Sequence, residues 1–145
     1  MPTDRRTDRA ADCLFCSIVA GDAPAQRVLE SPEVVAFLDV RPVFKGHVLL
    51  IPREHVETIL DLPDALRDPY FATVQRLAAA MEKGLGAQGS LVLVNNRVSQ
   101  SVPHLHTHVI PRTKGDGLRG FLWPRHRYTD DAEAEAYAER VRAAL

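Results

Sequence analysis

Ser101-Val102-Pro103-His104-Leu105-His106-Thr107-His108-Val109-Ile110-Pro111 is the stretch on which the reading of this chain depends. From His104 onward imidazoles alternate with Leu105, Thr107 and Val109, and a period of two is the period of a β-strand. Val102 to Ile110 is therefore predicted to be a strand, closed by Pro111. Side chains two apart along a strand share a face at about 6.6 Å spacing, so His104, His106 and His108 form a row over an apolar back. Such a row can bind a metal, bind an anion or attack one. A merely solvated face is the poorest account of three of the chain's six histidines placed at period two.

Working outward, Leu91 to Val94 is a second apolar strand that runs into the polar loop Asn95-Asn96-Arg97-Val98-Ser99-Gln100-Ser101. Arg112 and Lys114 follow the row, and both are donors suited to phosphate oxygens. Arg27 to Glu30 and Val34 to Asp39, separated by Ser31-Pro32-Glu33, read as a hairpin. His47-Val48-Leu49-Leu50-Ile51 reads as a central strand stopped at Pro52, with His47 opening it and His55 following it. Asp68-Pro69 is the expected start of the main core helix, on which Phe71, Val74, Leu77, Met81 and Leu85 would share an apolar face before a stop near Gly84 to Gly86. Leu14 to Ala20 reads as one or two helical turns. Asp130 with Glu133 is a capping box for a terminal helix, with Tyr137 and Val141 expected to face inward and Arg140 and Arg142 near its negative end. The predicted class is α+β, an antiparallel sheet of about five strands with one long core helix and a C-terminal helix.

At 145 residues the chain fits a single domain. We place it at 12–145, after an N-terminal arm over 1–11 that is expected to be mobile. The net charge of -1 gives no broad basic field, which argues against nucleic acid and for a small anionic ligand held by a local cluster. No apolar run has the length of a membrane span and the first dozen residues lack the apolar core of a signal peptide, so a cytoplasmic protein without a membrane partner is expected. The only cysteines, Cys13 and Cys16, do not make a secreted disulfide framework. A metal site, a redox pair and two plain thiols all stay open for them. Trp123, the single tryptophan, suits a core or an interface and receives no role.

With these residues in hand, the chain resembles the histidine triad (HIT) family, whose motif alternates three histidines with apolar residues, here His104 to Ile110. Gln100-Ser101-Val102, Phe37-Leu38-Asp39, Gly46-His47-Val48-Leu49-Leu50-Ile51-Pro52 and Pro111-Arg112 also look like that family, in the same order, and the likeness spans roughly residues 13 to 128. Thr107 stands where an apolar residue is usual. The loop from Asn95 to Gln100 is short and lacks a Gly-Gly before the Gln.

The resemblance implies an enzyme acting on a purine nucleotide or dinucleotide. His106 would attack the α-phosphorus as a neutral imidazole, giving a nucleotidyl-histidine from which water releases a nucleoside monophosphate. A neighbouring histidine could stay protonated near neutrality, since an unperturbed imidazole titrates near pH 6.5. His108 would hold the phosphoryl oxygens, Gln100 and Ser101 the leaving-group side and the transferred phosphoryl, His47 and Asn95 further phosphate contacts. Asp39 would accept the ribose hydroxyls, with Leu38 and Val40 beside the base. Zinc-binding members place ligands at positions like Cys13, Cys16, His55 and His104, which implies a closed, structural zinc site. Pro111-Arg112 looks like the dinucleoside polyphosphate hydrolase branch (fragile histidine triad), whereas Cys13, Cys16 and Asp39 look like the nucleoside phosphoramidase branch. A homodimer is implied by the same resemblance. Two other classes compete: a purine-nucleotide-binding signalling protein with little turnover, and a metalloenzyme that uses all three histidines as ligands.

Overall fold

The computed structural model describes residues 11–119 and 124–145. The expected mobile arm, apart from Ala11, and Trp123 lie outside the described residues. In chain order the elements are α1 (Leu14–Ala20), β1 (Arg27–Glu30), β2 (Val34–Leu38), β3 (Val48–Pro52), a 3-10 turn (Ile59–Asp61), α2 (Asp64–Leu85), β4 (Gly89–Val94), β5 (Thr107–Arg112) and α3 (Asp131–Arg142). The five strands form one sheet in the order β1-β2-β3-β5-β4, every pairing antiparallel. The architecture is thus the α+β one that the patterning predicts. Two compact units divide after Lys114.

In the first unit the sheet is apolar on both faces, for the same alternation that placed the histidines. Val34, Ala36, Val48, Leu50 and Val109 pack with Tyr70, Leu77 and Met81 of α2. Val35, Phe37, Leu49 and Ile51 pack on the other face with Cys13, Phe15 and Ile18, at and in α1. His108 lies directly opposite Leu49 across the β3–β5 pair, so the histidine row belongs to the α1 face. Gly46 turns the chain into β3 with φ +99, a conformation that glycine reaches without a Cβ penalty. His47 enters the sheet directly after it.

Three expectations are corrected here. The core helix starts at Asp64 rather than at Pro69, which lies in its second turn and removes one backbone donor there. Leu77 and Met81 are buried on the core face as expected and Val74 packs against it, but Tyr70 and Thr73 are the buried residues of the earlier turns, and Phe71 and Leu85 are exposed. Tyr70 rather than Phe71 turns inward, where its hydroxyl donates to the Leu50 carbonyl at 3.1 Å and meets Thr107 Oγ1 at 2.6 Å, both inside the core. The last strand begins at Thr107, not Val102: Pro103 has no N–H, His104 N–H turns back to the Val102 carbonyl at 2.8 Å, and Leu105 N–H goes to the Val56 carbonyl at 2.7 Å. It also continues through Pro111, opposite Ser90, where the ladder to β3 has already ended.

In the second unit, Asp130 caps α3 by accepting from the Glu133 N–H at 2.8 Å. The Glu133 carboxylate takes the Thr129 N–H and hydroxyl, at 3.2 and 2.7 Å, so the box closes one residue before the cap. Tyr137 and Val141 are exposed rather than inward-facing, with Tyr137 against the Tyr128 ring at 5.8 Å and beneath Arg140.

Candidate active site and metal centre

The cysteine pair sits at the start of α1. Cys13 is its N-cap, and its sulfur accepts the Cys16 N–H at 3.4 Å, so helix geometry turns both thiols to one side. Cys13 Sγ and Cys16 Sγ each lie 3.5 Å from His104 Nδ1, and Cys16 Sγ lies 3.1 Å from His55 Nδ1. All four donor atoms fall within 4.8 Å of one another. Zinc bonds of about 2.3 Å to sulfur and 2.0 Å to nitrogen give a tetrahedral S···N edge of about 3.5 Å, so the spacing and the donor set fit that ion. His104 is also prepared as a ligand. Its Nε2 donates to the Pro52 carbonyl at 2.8 Å, which leaves the Nδ1 lone pair turned toward the sulfurs. His55 has no such support, and its Nε2 is buried without a hydrogen-bond partner among the described residues. Burial and the neighbouring Cys13 push the Cys16 thiol up to about 12; a bound cation reverses that preference by stabilising the thiolate.

Two residues beyond His104, His106 Nδ1 donates to the His104 carbonyl at 2.7 Å. A carbonyl only accepts, so the proton is on Nδ1 and Nε2 keeps its lone pair. His106 is 5% exposed, and its ring stands T-shaped to Phe15 at 5.0 Å between centroids. The His106 and His108 rings lie 5.1 Å apart. His108 Nδ1 is 2.9 Å from His47 Nε2, and His47 Nδ1 accepts the Val43 N–H at 3.1 Å. The Asp39 N–H donates to the His47 carbonyl at 2.9 Å, which brings its carboxylate to 3.7 Å from His47 Nε2.

Burial lowers the pKa of His47, His106 and His108, the last to about 4, and the Asp39 charge only partly opposes this. The expected protonated neighbour is therefore corrected: desolvation holds every imidazole of the group neutral near pH 7.

The remaining predicted residues separate. Asp39 Oδ1 caps its own turn by accepting the Arg41 N–H at 2.8 Å, leaving the other oxygen beside His47. Asn95 follows Val94, which lies opposite Thr107, so it stands next to the histidine segment. Ser101 is exposed in the same loop. Gln100 has both ends of its amide engaged: Oε1 accepts the Arg97 N–H at 2.8 Å and Nε2 donates to the Glu57 carbonyl at 2.5 Å. It ties the loop down, and these two bonds use one of the two Nε2–H donors. Asn96 ties the same loop to Ile59 at 2.9 Å. The shortened loop closes with Arg97 and Ser99 at φ 68 and 60, a left-handed conformation that costs energy without glycine.

Arg112 pairs with Gly89 while His108 pairs with Leu93, which puts Arg112 about 13 Å along β5 from His108. Arg112 and Lys114 are thus not at the row. Leu38 packs on the α2 face, and Val40, next to Asp39, is 90% exposed.

Phe15 and Phe37 were missed. Their rings meet at 5.5 Å on the histidine face. Strand alternation in Val34 to Leu38 was enough to find Phe37; Phe15, between the two cysteines, had no local signal.

This fold and site define a class: α+β proteins with a histidine triad laid along one face of an antiparallel sheet. Residues 20–115 match the family model described as the HIT domain, and the chain belongs to that family. The crystal structure of a HIT family protein from Bacillus subtilis is 38% identical, with a TM-score of 0.84 over 92% of this chain and 97% of that one. A zinc-bound histidine triad family protein from Mycobacterium smegmatis is 34% identical, with a TM-score of 0.71 over 94% of this chain and 99% of that one. Adenosine 5'-monophosphoramidase hnt1 of Schizosaccharomyces pombe is 35% identical over 131 residues, 89% of this chain and 95% of the relative. Among the described residues no helix is long and apolar enough to cross a membrane.

Proposed function

We propose that the protein is a HIT-type nucleotide hydrolase or transferase acting at the α-phosphate of a purine nucleotide conjugate, a nucleoside phosphoramidate or a dinucleoside polyphosphate. The observation that carries the reading is the 2.7 Å bond from His106 Nδ1 to the His104 carbonyl, which leaves a neutral Nε2 lone pair in a nearly water-free position. Nε2 forms a bond to phosphorus, and the bond from phosphorus to the leaving group breaks with its electron pair, an amine nitrogen taking up a proton from solvent as it departs. Water then attacks the same phosphorus and gives up a proton to solvent, the P–N bond to His106 breaks with its electron pair returning to Nε2, and nucleoside monophosphate leaves as the imidazole returns to neutral. His108 binds the phosphoryl oxygens, Ser101 and Asn95 give further polar contacts, and Asp39 accepts the ribose hydroxyls. The relative named as an adenosine 5'-monophosphoramidase supports the phosphoramidate over the dinucleotide.

Cys13, Cys16, His55 and His104 are proposed to hold zinc. Four protein ligands leave no open position, so the ion would act as a cross-link between α1 and the His104 segment rather than as an activator of water. A homodimer, a cytoplasmic location and a single domain over 12–145 complete the proposal.

Rapid denaturation during turnover of radiolabelled adenosine phosphoramidate, and separately of a labelled dinucleoside polyphosphate, tests it. Label on His106, absent in His106→Gly, is the expected result. Tight nucleotide binding with neither adduct nor product from either substrate would establish the binding protein instead.

A further inference from the structure

We infer that His47 is a positioning residue that fixes the tautomer of His108, through a chain of hydrogen bonds that starts at the backbone amide of Val43. The purpose assigned to that tautomer rests on the proposed function; the tautomer itself rests on geometry alone.

An amide N–H can only donate, so His47 Nδ1, 3.1 Å from the Val43 nitrogen, must be the accepting, unprotonated ring atom. A neutral imidazole with a bare Nδ1 carries its proton on Nε2. That Nε2 lies 2.9 Å from His108 Nδ1, which must then accept. By the same rule His108 carries its own proton on Nε2. Protonating His47 at Nδ1 would set two donors against each other, so the chain resists reversal. The second candidate acceptor for the His47 proton, Asp39 Oδ2, lies at 3.7 Å, beyond hydrogen-bond reach. His47 is 2% exposed, so water does not compete freely for either ring nitrogen.

The consequence concerns the phosphate. An imidazole free to choose its tautomer presents a lone pair to an anionic oxygen for part of the time, which repels it. His108 held with Nε2–H presents a donor while the ring stays uncharged. His47 then acts on the reaction without touching substrate, and the contact assigned to it from the family resemblance becomes an indirect one. Outer partners that orient a metal-bound imidazole are worth about 10- to 100-fold in affinity or activity, and the same scale is expected for His108.

The test is long-range ¹H–¹⁵N correlation of the histidine rings in the ¹⁵N-labelled full chain without substrate, with His108 assigned by its absence in His108→Asn. Wild type is expected to show both His47 and His108 as Nε2–H tautomers. In His47→Ala, His108 should shift toward a tautomer average, with kcat falling about 10- to 100-fold and KM changing little. His47→Gln, whose side-chain amide can still donate to His108 Nδ1, should restore the His108 pattern and most of the kcat. An Nδ1–H tautomer of His108 in wild type overturns the inference, even if His47→Ala does not fold. So does a His108 pattern unchanged in folded His47→Ala. If the wild-type tautomers are as stated and no nucleotide adduct forms on His106, the inference stands and the proposed function fails.

Discussion

At the scale of single residues, burial outweighs charge in this site. Six histidines in a chain of net charge -1 invite a reading in which some are cationic, yet His108 is brought down to about 4 chiefly by desolvation, with His106 and His47 adding to it. A histidine whose folded pKa is below its unfolded value binds more protons unfolded, so stability rises with pH between the two values. The contribution from His108 is fully present above about pH 6.5 and is lost as pH falls toward about 4. Urea unfolding midpoints measured from pH 7.5 to 4 should therefore fall across that window in wild type. The fall should be shallower in His108→Asn, which has nothing to protonate there; an equal slope would refute the assignment. Thr107 makes the complementary point: its hydroxyl is tolerated at 1% exposure because Tyr70 meets it.

Among elements, α2 and β5 are joined by that same pair, and this is what places the triad. β5 carries His108 outward only while Thr107 and Val109 stay inward. Tyr70→Phe leaves the Thr107 hydroxyl without its buried partner and removes a donor from the Leu50 carbonyl. A loss of about 1–3 kcal/mol in unfolding free energy is expected, measured by urea denaturation. Thr107→Val keeps the Tyr70–Leu50 bond and should cost less, so the reverse order would refute this account. The loop before the triad is built differently. Asn96 and Gln100 spend their side chains on the backbone of residues 57–59, and two non-glycine residues adopt left-handed φ values to close it. That loop is held by its anchors rather than by its own conformational preference.

For the molecule as a whole, the cluster of Cys13, Cys16, His55 and His104 joins a short helix to the histidine segment. α1 is only seven residues long and too short to be stable alone, but it carries Phe15, whose ring makes T-shaped contacts with both His104 and His106. If zinc holds Cys13, Cys16, His55 and His104 together, its removal should loosen α1 and lower Tm by about 5–10 °C, the loss of a ligand contribution of about 2.7 kcal/mol. Cys16→Ser should show the lower Tm from the outset and no further change with chelator. A wild-type Tm unaffected by chelation, with no metal in the protein as purified, would exclude the site.

Sheet, long helix, histidine row and its shared face were all legible in the sequence, because period two and apolar runs are local properties of the chain. His104, His106 and His108 all lie on the α1 face, the first two against Phe15 and the third opposite Leu49, although the first two lie outside the ladder. What the sequence could not decide was anything set by partners distant along the chain. The burial of Tyr70 in place of Phe71 depends on the Leu50 carbonyl and Thr107, and the use of the Gln100 amide depends on Glu57. The convergence of Cys13, Cys16, His55 and His104 depends on three separate segments. Protonation was beyond it too, because desolvation is a property of the packed interior and not of any spacing. By itself the sequence determined which residues carry the proposed chemistry; only the tertiary structure decided which ring nitrogens keep their protons.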